Sequence, residues 1–434
     1  MEELAIEVFD EMLSIDTKFD YDESIQSLQV YEYTPQTQSN NNTHGHSISI
    51  TINAQDTYLL PSKSYITITG QIRRGDNDHP FAADDEITLI NNAMMYLFSC
   101  VKYELGSTTI ETINNPGQIT SILAYLSQPD DFNTSSGLKY CWSKDTTNHA
   151  SSVKYTKTAA NVTGDNPNYN QGFAARKAFL FSSDPRGSFT FNIPLSHIFG
   201  FAEYRKVVYG MKHRLTLTRD SNTLALYRNA DTTNGRIDVT NISWYMPQVV
   251  LSHNLTTQMR SLMVRKIPIP LIFRARTSDS TTVDQTREFN WNLSAEGGIE
   301  KPRWVIVAFQ TDRLENQERN PAIFDHCNLV NAYITINSER YPLNEIRTDF
   351  TTNDYAKLYD MFDDFKKEYY GIDSLVGGTQ VNFPAFKTLF PILVFDARKQ
   401  SERLKNNAVD MKAKFFFSAN VPANTKAYSV IISE

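Results

Sequence analysis

Apolar residues recur at every second position in a series of short runs along the chain: Ile48, Ile50 and Ile52 in HSISITI, and Ile66, Ile68 and Ile72 in SYITITGQIRR. The same alternation returns at Phe189, Phe191 and Ile193, at Leu215 and Leu217, at Phe289, Trp291 and Leu293, and at Ile334 and Ile336. Successive side chains point to opposite faces of a strand, so each run predicts a strand with one buried face. The apolar runs WVIVAF at 304–309 and KFFF at 414–417 add two more. A period near 3.6 is convincing in two internal segments. In NPGQITSILAYLS, Ile119, Ile122, Leu123 and Leu126 share a face, with Asn115 as the expected cap and Pro116 at the first helical position. In NDYAKLYDMFDDFKKEYYG, Tyr355, Leu358, Phe362, Phe365 and Tyr369 share a face, Asp354 stands at the start, and Gly371 is the expected stop. The chain is therefore expected to be all-β with short internal helices.

Both helices follow the same local pattern. CVKYELGSTTIETI precedes the first and NAYITINSERYPLNEI the second, and setting Leu105 on Ile336 aligns the turn signals Gly106-Ser107 and Asn337-Ser338. Downstream, MKHRLTL at 211–217 matches MKAKFFF at 411–417, each followed by a last apolar strand. This is a tandem duplication, offset by about 190 to 230 residues with the variation absorbed in loops. The expected organisation is an arm and linker over 1–45, a first β unit over 46–250, and a second over 251–434. Residues 128–187 form an outsized polar loop that nevertheless carries Tyr140, Trp142, Tyr155, Tyr169 and Phe173. A loop of this length in a compact domain is functional or disordered, and its aromatics predict packing against another surface, a second subunit being one candidate.

Charge changes the picture at one end. Residues 1–34 carry ten acidic groups against the single base Lys18, while the whole 434-residue chain has a net charge of -7, so the remainder is slightly basic. Leu4, Val8 and Met12 recur every four residues there, with Phe9 beside them, which predicts a short amphipathic helix tethered by the polar run TPQTQSNNNTHG. Composition is otherwise globular, with 41% hydrophobic residues. Three scattered cysteines make no disulfide framework and suit a reducing compartment. The opening MEELAIEVFDEML lacks the basic start and apolar run of a secretory signal, and no stretch approaches the roughly 18 apolar residues of a membrane span.

Candidate chemistry is sparse. Phosphate-binding fingerprints, HExxH and GxSxG are absent from the sequence. His44 and His46 form the closest histidine pair, but no further ligand follows at cupin-like spacing. The carboxylate neighbours Asp84-Asp85-Glu86, Asp130-Asp131 and Asp363-Asp364 are read as solvated charges. The basic groups, including Arg73-Arg74, Arg260 to Lys266, and Arg274 and Arg276, are mostly read as strand-edge or surface charges. Sequence-specific nucleic-acid binding is not expected, and no catalytic, cofactor-binding or metal residue is assigned.

The blocks IPLSHIFGF (193–201), VVYGMKHRLTLTR (207–219), ISWYMPQV, EKPRWVIVAFQT and NVPANTKAYSVIIS resemble those of the double jelly-roll major capsid proteins of small eukaryotic DNA viruses and virus-derived elements, such as adintoviruses, Polintons and virophages. The resemblance implies two tandem eight-stranded sandwiches and a non-enzymatic homotrimer that tiles an icosahedral shell. It also implies a place in the virion and penton and minor capsid proteins as partners. On it, the 128–187 loop belongs to an outward tower whose aromatics clasp a neighbour. Separately from the resemblance, Leu4, Val8, Phe9 and Met12 are expected to dock in a groove beneath an adjacent capsomer or on a minor protein. A tandem β-sandwich enzyme and a carbohydrate-binding module are the alternatives. The scarcity of histidine and cysteine speaks against a copper enzyme of that architecture.

Overall fold

The computed structural model describes residues 25–36, 41–54, 56–157, 162–266, 270–293, 301–371, 378–399 and 410–433. In the first half, β1 (Ile25–Tyr33), β2 (Ser47–Asn53), β3 (Tyr65–Arg74), β4 (Phe98–Leu105), β5 (Thr108–Asn114), β6 (Ser188–Pro194), β7 (Lys212–Arg219) and β8 (Gly235–Leu251) build two antiparallel sheets. Their orders are β1-β8-β3-β6 and β2-β7-β4-β5. The second half uses β9 (Ala275–Val283), β10 (Glu288–Asn292), β11 (Pro302–Thr311), β12 (Leu329–Ile336), β13 (Glu339–Tyr341), β14 (Leu393–Asp396), β15 (Met411–Phe417) and β16 (Thr425–Ser433). Their orders are β9-β16-β11-β14 and β10-β15-β12-β13. Adding eight to each label of the first half gives the second, so each half is a jelly roll of the same connectivity. The turns agree as well. Gly106 and Asn337 both hold positive φ, and their N–H groups donate to Lys212 and Asp410, on the strand that follows in each sheet or just before it.

The period-two residues face the cores. Ile48, Ile50, Ile52, Leu215 and Leu217 are buried in the first sandwich, and Ile334, Ile336, Phe415 and Phe417 in the second. Each such side chain contributes roughly 1.5–3 kcal/mol of hydrophobic stabilisation. The buried residues of both halves join in one contiguous apolar cluster.

Between the fifth and sixth strand of each half stands the expected helix: α1 (Pro116–Ser127) and, in the second half, the helix Ala356–Tyr370. α1 is buried on almost every side, and a Cβ on Gly117 would fall 2.4 Å from the Tyr96 ring. Its cap differs from expectation. Asn115 is left-handed at φ 50, and its amide donates to Ser280 Oγ in the other half rather than closing the helix. The second helix stops at left-handed Gly371 as expected, but it begins after Tyr355, leaving Asp354 in the preceding turn.

Among the described residues, further helices that the sequence pattern did not mark include α2 (Gln171–Phe181), α3 (His253–Val264) and the short Phe383–Thr388; Ala356–Tyr370, which lies between the last two, is α4. α3 joins the halves and seats Leu255 and Met259 on Tyr58, Leu60, Val249 and Leu251. Arg260 therefore lies on the exposed surface of a helix.

The arm is shorter than the sequence suggests. Ile25–Tyr33 pairs with β8 from Leu251 to Trp244 and supplies the edge strand of the first sheet, so that sandwich starts upstream of residue 46. Both faces of β1 are mostly solvent-facing, and the alternation that marks a half-buried strand is absent from IQSLQVYEY. Leu4, Val8, Phe9 and Met12 lie outside the described residues. Among the described residues, no helix is long and apolar enough to cross a membrane.

Candidate assembly surfaces and the seam between the sandwiches

The 128–187 segment is built, not loose. Short turns at Asp130–Asn133 and Gly137–Tyr140, a hairpin of Tyr155–Lys157 with Val162–Asp165, and α2 follow one another. Asn170 caps α2, its side chain accepting from Phe173 N–H at 3.2 Å. Beneath it lies a buried ionic knot. Arg176 Nη2 donates to Asp145 Oδ1 at 2.7 Å, Asn170 donates to the same oxygen at 2.9 Å, and Asn320 of the second half donates to Oδ2 at 2.9 Å. Arg176 Nε donates to Leu89 O at 2.8 Å, and its Nη1 to Ser143 O. Both charges are thus fully hydrogen-bonded, the condition under which a buried pair is tolerated.

This construction corrects part of the expected clasp. Trp142 is buried in its own chain, with its ring centroid 5.0 Å from that of Tyr125 and its Nε1–H donating to Gln380 Oε1 at 3.1 Å. Phe173 is buried against Tyr227. Neither is available to a second subunit. They anchor the segment to the chain's own core, because large aromatic rings in a polar segment are its main source of apolar burial. Tyr140 is half-buried against Phe132 and His197, and Tyr169 is half-buried. Tyr155 alone of the five is exposed, at 43%.

Where the two sandwiches meet, β5 runs beside β9. Asn114 N–H donates to Ser278 Oγ at 2.7 Å. Glu111, buried on β5, accepts from three backbone N–H groups: Gly200 at 3.1 Å, Phe201 at 2.8 Å and, across the seam, Arg276 at 2.6 Å. Burial pushes its carboxyl up to about 7, against the lowering pull of these donors and of the Arg276 guanidinium. Arg276 in turn donates to Glu203 Oε1 at 2.6 Å and to the carbonyls of Ser196 and His197. The approach is so close that a Cβ on Gly200 would lie 1.8 Å from Arg274 O, which leaves room for glycine only. Elsewhere on the seam, Gln317 pairs with Gly235 in both directions at 2.8 Å, as a neighbouring strand would. Tyr125 OH and Tyr96 OH reach the carbonyls of Ala322 and Pro321.

A cleft of about 680 Å³ opens along this seam, floored by α1 and α4 and lined by Lys63, Arg205, Arg274, Arg276, His197 and Glu203 among others. Burial, helped by the nearby Arg276, holds the His197 imidazole down at about 4. A second surface is apolar. On β1, Ile25, Leu28, Val30 and Tyr31 are all more than 40% exposed, and Val250 on β8, opposite Ser27, is half exposed. His44 stands exposed, 3.8 Å from Asp220.

Glu111, Arg276, Gln317, Asn320 and Gln380 carry the seam; of these only Arg276 was named from the sequence, as a strand-edge or surface charge, and it is instead buried. Glu111 alone left a signal: in TTIETIN it shares a face with inward Ile113, a charge at a core position. The others act across the seam through side-chain partners more than seventy residues away, which no local pattern records.

The comparisons agree with this architecture. A family model for a double jelly roll-like domain matches residues 137–434. Among solved structures, the chain is similar to the Sputnik virophage at 12% identity and TM-score 0.59, covering 97% of this chain and 88% of that one. It is similar to the Faustovirus major capsid protein at 8% identity and TM-score 0.56, covering 98% and 93%. For PBCV-1 VP54 the figures are 9%, 0.53, 96% and 95%. No curated protein matches it. With the family model spanning more than half of the chain and the same strand order in both halves, the protein belongs to the double jelly roll-like family.

Proposed function

We propose that the protein is a major capsid protein, a structural and non-enzymatic component of a virion, which self-assembles as a pseudohexameric homotrimer and then tiles an icosahedral shell around a DNA genome. The observation that carries this reading is the repeated strand order: one chain presents two near-equivalent sandwiches, so three chains present six, the number that fills a hexagonal lattice. The solved structures of similar fold include one described as a major capsid protein, which supports the same reading. Contacts between copies have an apolar candidate in the β1 edge, where Leu28, Val30 and Tyr31 are exposed, because stable homo-oligomer interfaces are richer in apolar surface than the remaining exterior. Tyr155 on the exposed hairpin is the remaining aromatic candidate for a clasp between subunits, and penton and minor capsid proteins are the further partners of the shell.

Light scattering on a size-exclusion column, with negative-stain imaging of the purified chain, tests the proposal. A mass near three chains with hexagonal capsomers or closed shells is expected. A monomer that forms no particles under any ionic condition would overturn it and return attention to glycan binding and metal content.

A further inference from the structure

The seam cleft carries an excess of positive charge that the fold only partly uses. Its walls present Lys63, Arg205, Arg274, which donates to Tyr369 O at 2.8 Å, and Arg276, while Glu203 is the sole lining carboxylate among the described residues. Glu203 is already engaged by Arg276 at 2.6 Å and by the Tyr369 hydroxyl at 2.8 Å. Among the described residues, Lys63 and Arg205 are exposed and take part in no ion pair. Arg276, only 4% exposed, keeps an Nε–H without an acceptor at the cleft wall. Buried donors are rarely left unmatched, and clustered cations of one sign focus the field on an incoming anion.

The described chain begins at Ile25, near the same cleft, directly after an acidic stretch of sequence. Ile25, the first residue of β1, is in register with Leu251, and Leu251 packs in the small apolar cluster that contains Leu60, itself a wall of the cleft. The sequence upstream of Ile25 holds nine carboxylates and one lysine, interleaved with Leu4, Val8, Phe9 and Met12 at helical spacing. On α3, Arg260 adds a cation whose charge is felt by Tyr58 of the same cluster, Arg265 and Lys266 follow the helix, and Val264 and Ile272 stand 82% and 71% exposed. Twenty-four residues reach at most ~80 Å when extended, ample for the cleft of the same copy or of its neighbour.

We propose that the seam cleft is the docking site for the acidic N-terminal segment, residues 1–24, whose carboxylates pair with Lys63, Arg205 and Arg274. The proposal gives the arm a receptor of defined chemistry. It rests on the assembly reading only for the exchange of arms between copies, since docking within one copy needs no shell.

Carbodiimide coupling of the full-length protein, followed by peptide mass spectrometry, tests it, because this reagent joins a carboxylate to a lysine only when the two are in contact. Coupling of Glu or Asp residues within 1–24 to Lys63 is expected at low salt. It falls severalfold at 0.5 M salt, where the screening length shrinks to roughly 4–5 Å. It falls also in Arg205→Glu, whose side chain takes part in no ion pair or hydrogen bond among the described residues. Lys63 in the wild type is expected to be shielded from acetylation at low salt, a readout that survives even if the variant folds poorly. Mixing 15N-labelled and unlabelled copies assigns the donor to the same or to a second chain, and either result supports the site. Arm carboxylates coupled to lysines elsewhere, or Lys63 freely acetylated at low salt, would overturn it. Shielding of Lys63 by added oligonucleotide without arm coupling would give the cleft to nucleic acid and overturn it equally. Particle formation is scored separately, so failure of docking and failure of the capsid reading are distinguishable.

Discussion

Glu111 of the first sandwich accepts the backbone N–H of Arg276 of the second at 2.6 Å, and two further N–H groups from the Gly200-Phe201 turn. One carboxylate thus fastens β5, β9 and the segment entering β7. Replacing it by alanine leaves three buried donors unmatched, each costing about 1–3 kcal/mol. Glu111→Ala is expected to lose about 3–5 kcal/mol in denaturant unfolding and to separate the calorimetric transition into two, one per sandwich. A single transition at the wild-type midpoint would show that the seam is held by its apolar contacts alone.

His213 on β7 is buried, with Nδ1 2.6 Å from the Tyr103 hydroxyl, and burial holds its pKa down at about 4. The unfolded imidazole takes up a proton near 6.5 and the folded one near 4. The native state therefore binds fewer protons in this window: its stability is full above pH 6.5 and is lost as pH falls towards 4. The loss approaches ~3 kcal/mol at the acid end, and buried His197 acts in the same direction. Thermal melts from pH 7 to pH 4 are expected to drop steeply for the wild type and less steeply for His213→Phe. Equal slopes would remove His213 as a cause of acid lability.

The Asp145 and Arg176 pair discriminates a stabilising ion pair from a locating one. Asp145→Ala strands a buried guanidinium and is expected to cost about 3–5 kcal/mol. Asp145→Leu combined with Arg176→Met removes both charges and is expected to cost less than the single change, though it abandons the bond from Asn320 that ties the 128–187 segment to the second half. A double-mutant cycle in urea measures the coupling.

Truncation separates arm from sheet. Deleting residues 1–24 leaves β1 intact and is expected to preserve the melting temperature. Deleting 1–34 strips β1 from β8, removing the bonds from Ser243 to Glu32 at 2.6 Å and from Gln248 to Tyr33 at 2.6 Å, and bares the edge of a central strand. An unpaired edge of that length invites pairing with other chains, so this product is expected in the aggregate fraction of a sedimentation assay. Equal solubility of the two truncations would show β1 to be dispensable.

Much of the fold was legible in the sequence because it is written in local periods. The alternation in HSISITI and YITI, the helical spacing of Leu358, Phe362 and Phe365, and the matched turns at Gly106 and Asn337 each record which face of an element meets a core, and that requirement acts on neighbours in the chain. β1 left no such record, since its bonds to β8 come from the backbone and both its faces stay largely outside the core. The destinations of Trp142 and Phe173 were hidden for the opposite reason: their burial is plain from residue type, but whether the covering surface belongs to this chain or another depends on where α2 and Gln380 fall in space. The seam lies furthest from the sequence. Glu111, Arg276, Gln317 and Asp145 are ordinary polar residues until folding brings a donor from one half within 3 Å of an acceptor from the other, and only the tertiary structure sets which pairs form. What the sequence by itself determined was two copies of one β plan and an acidic lead; how the copies lock, and where a basic cleft opens along their seam, was decided by packing.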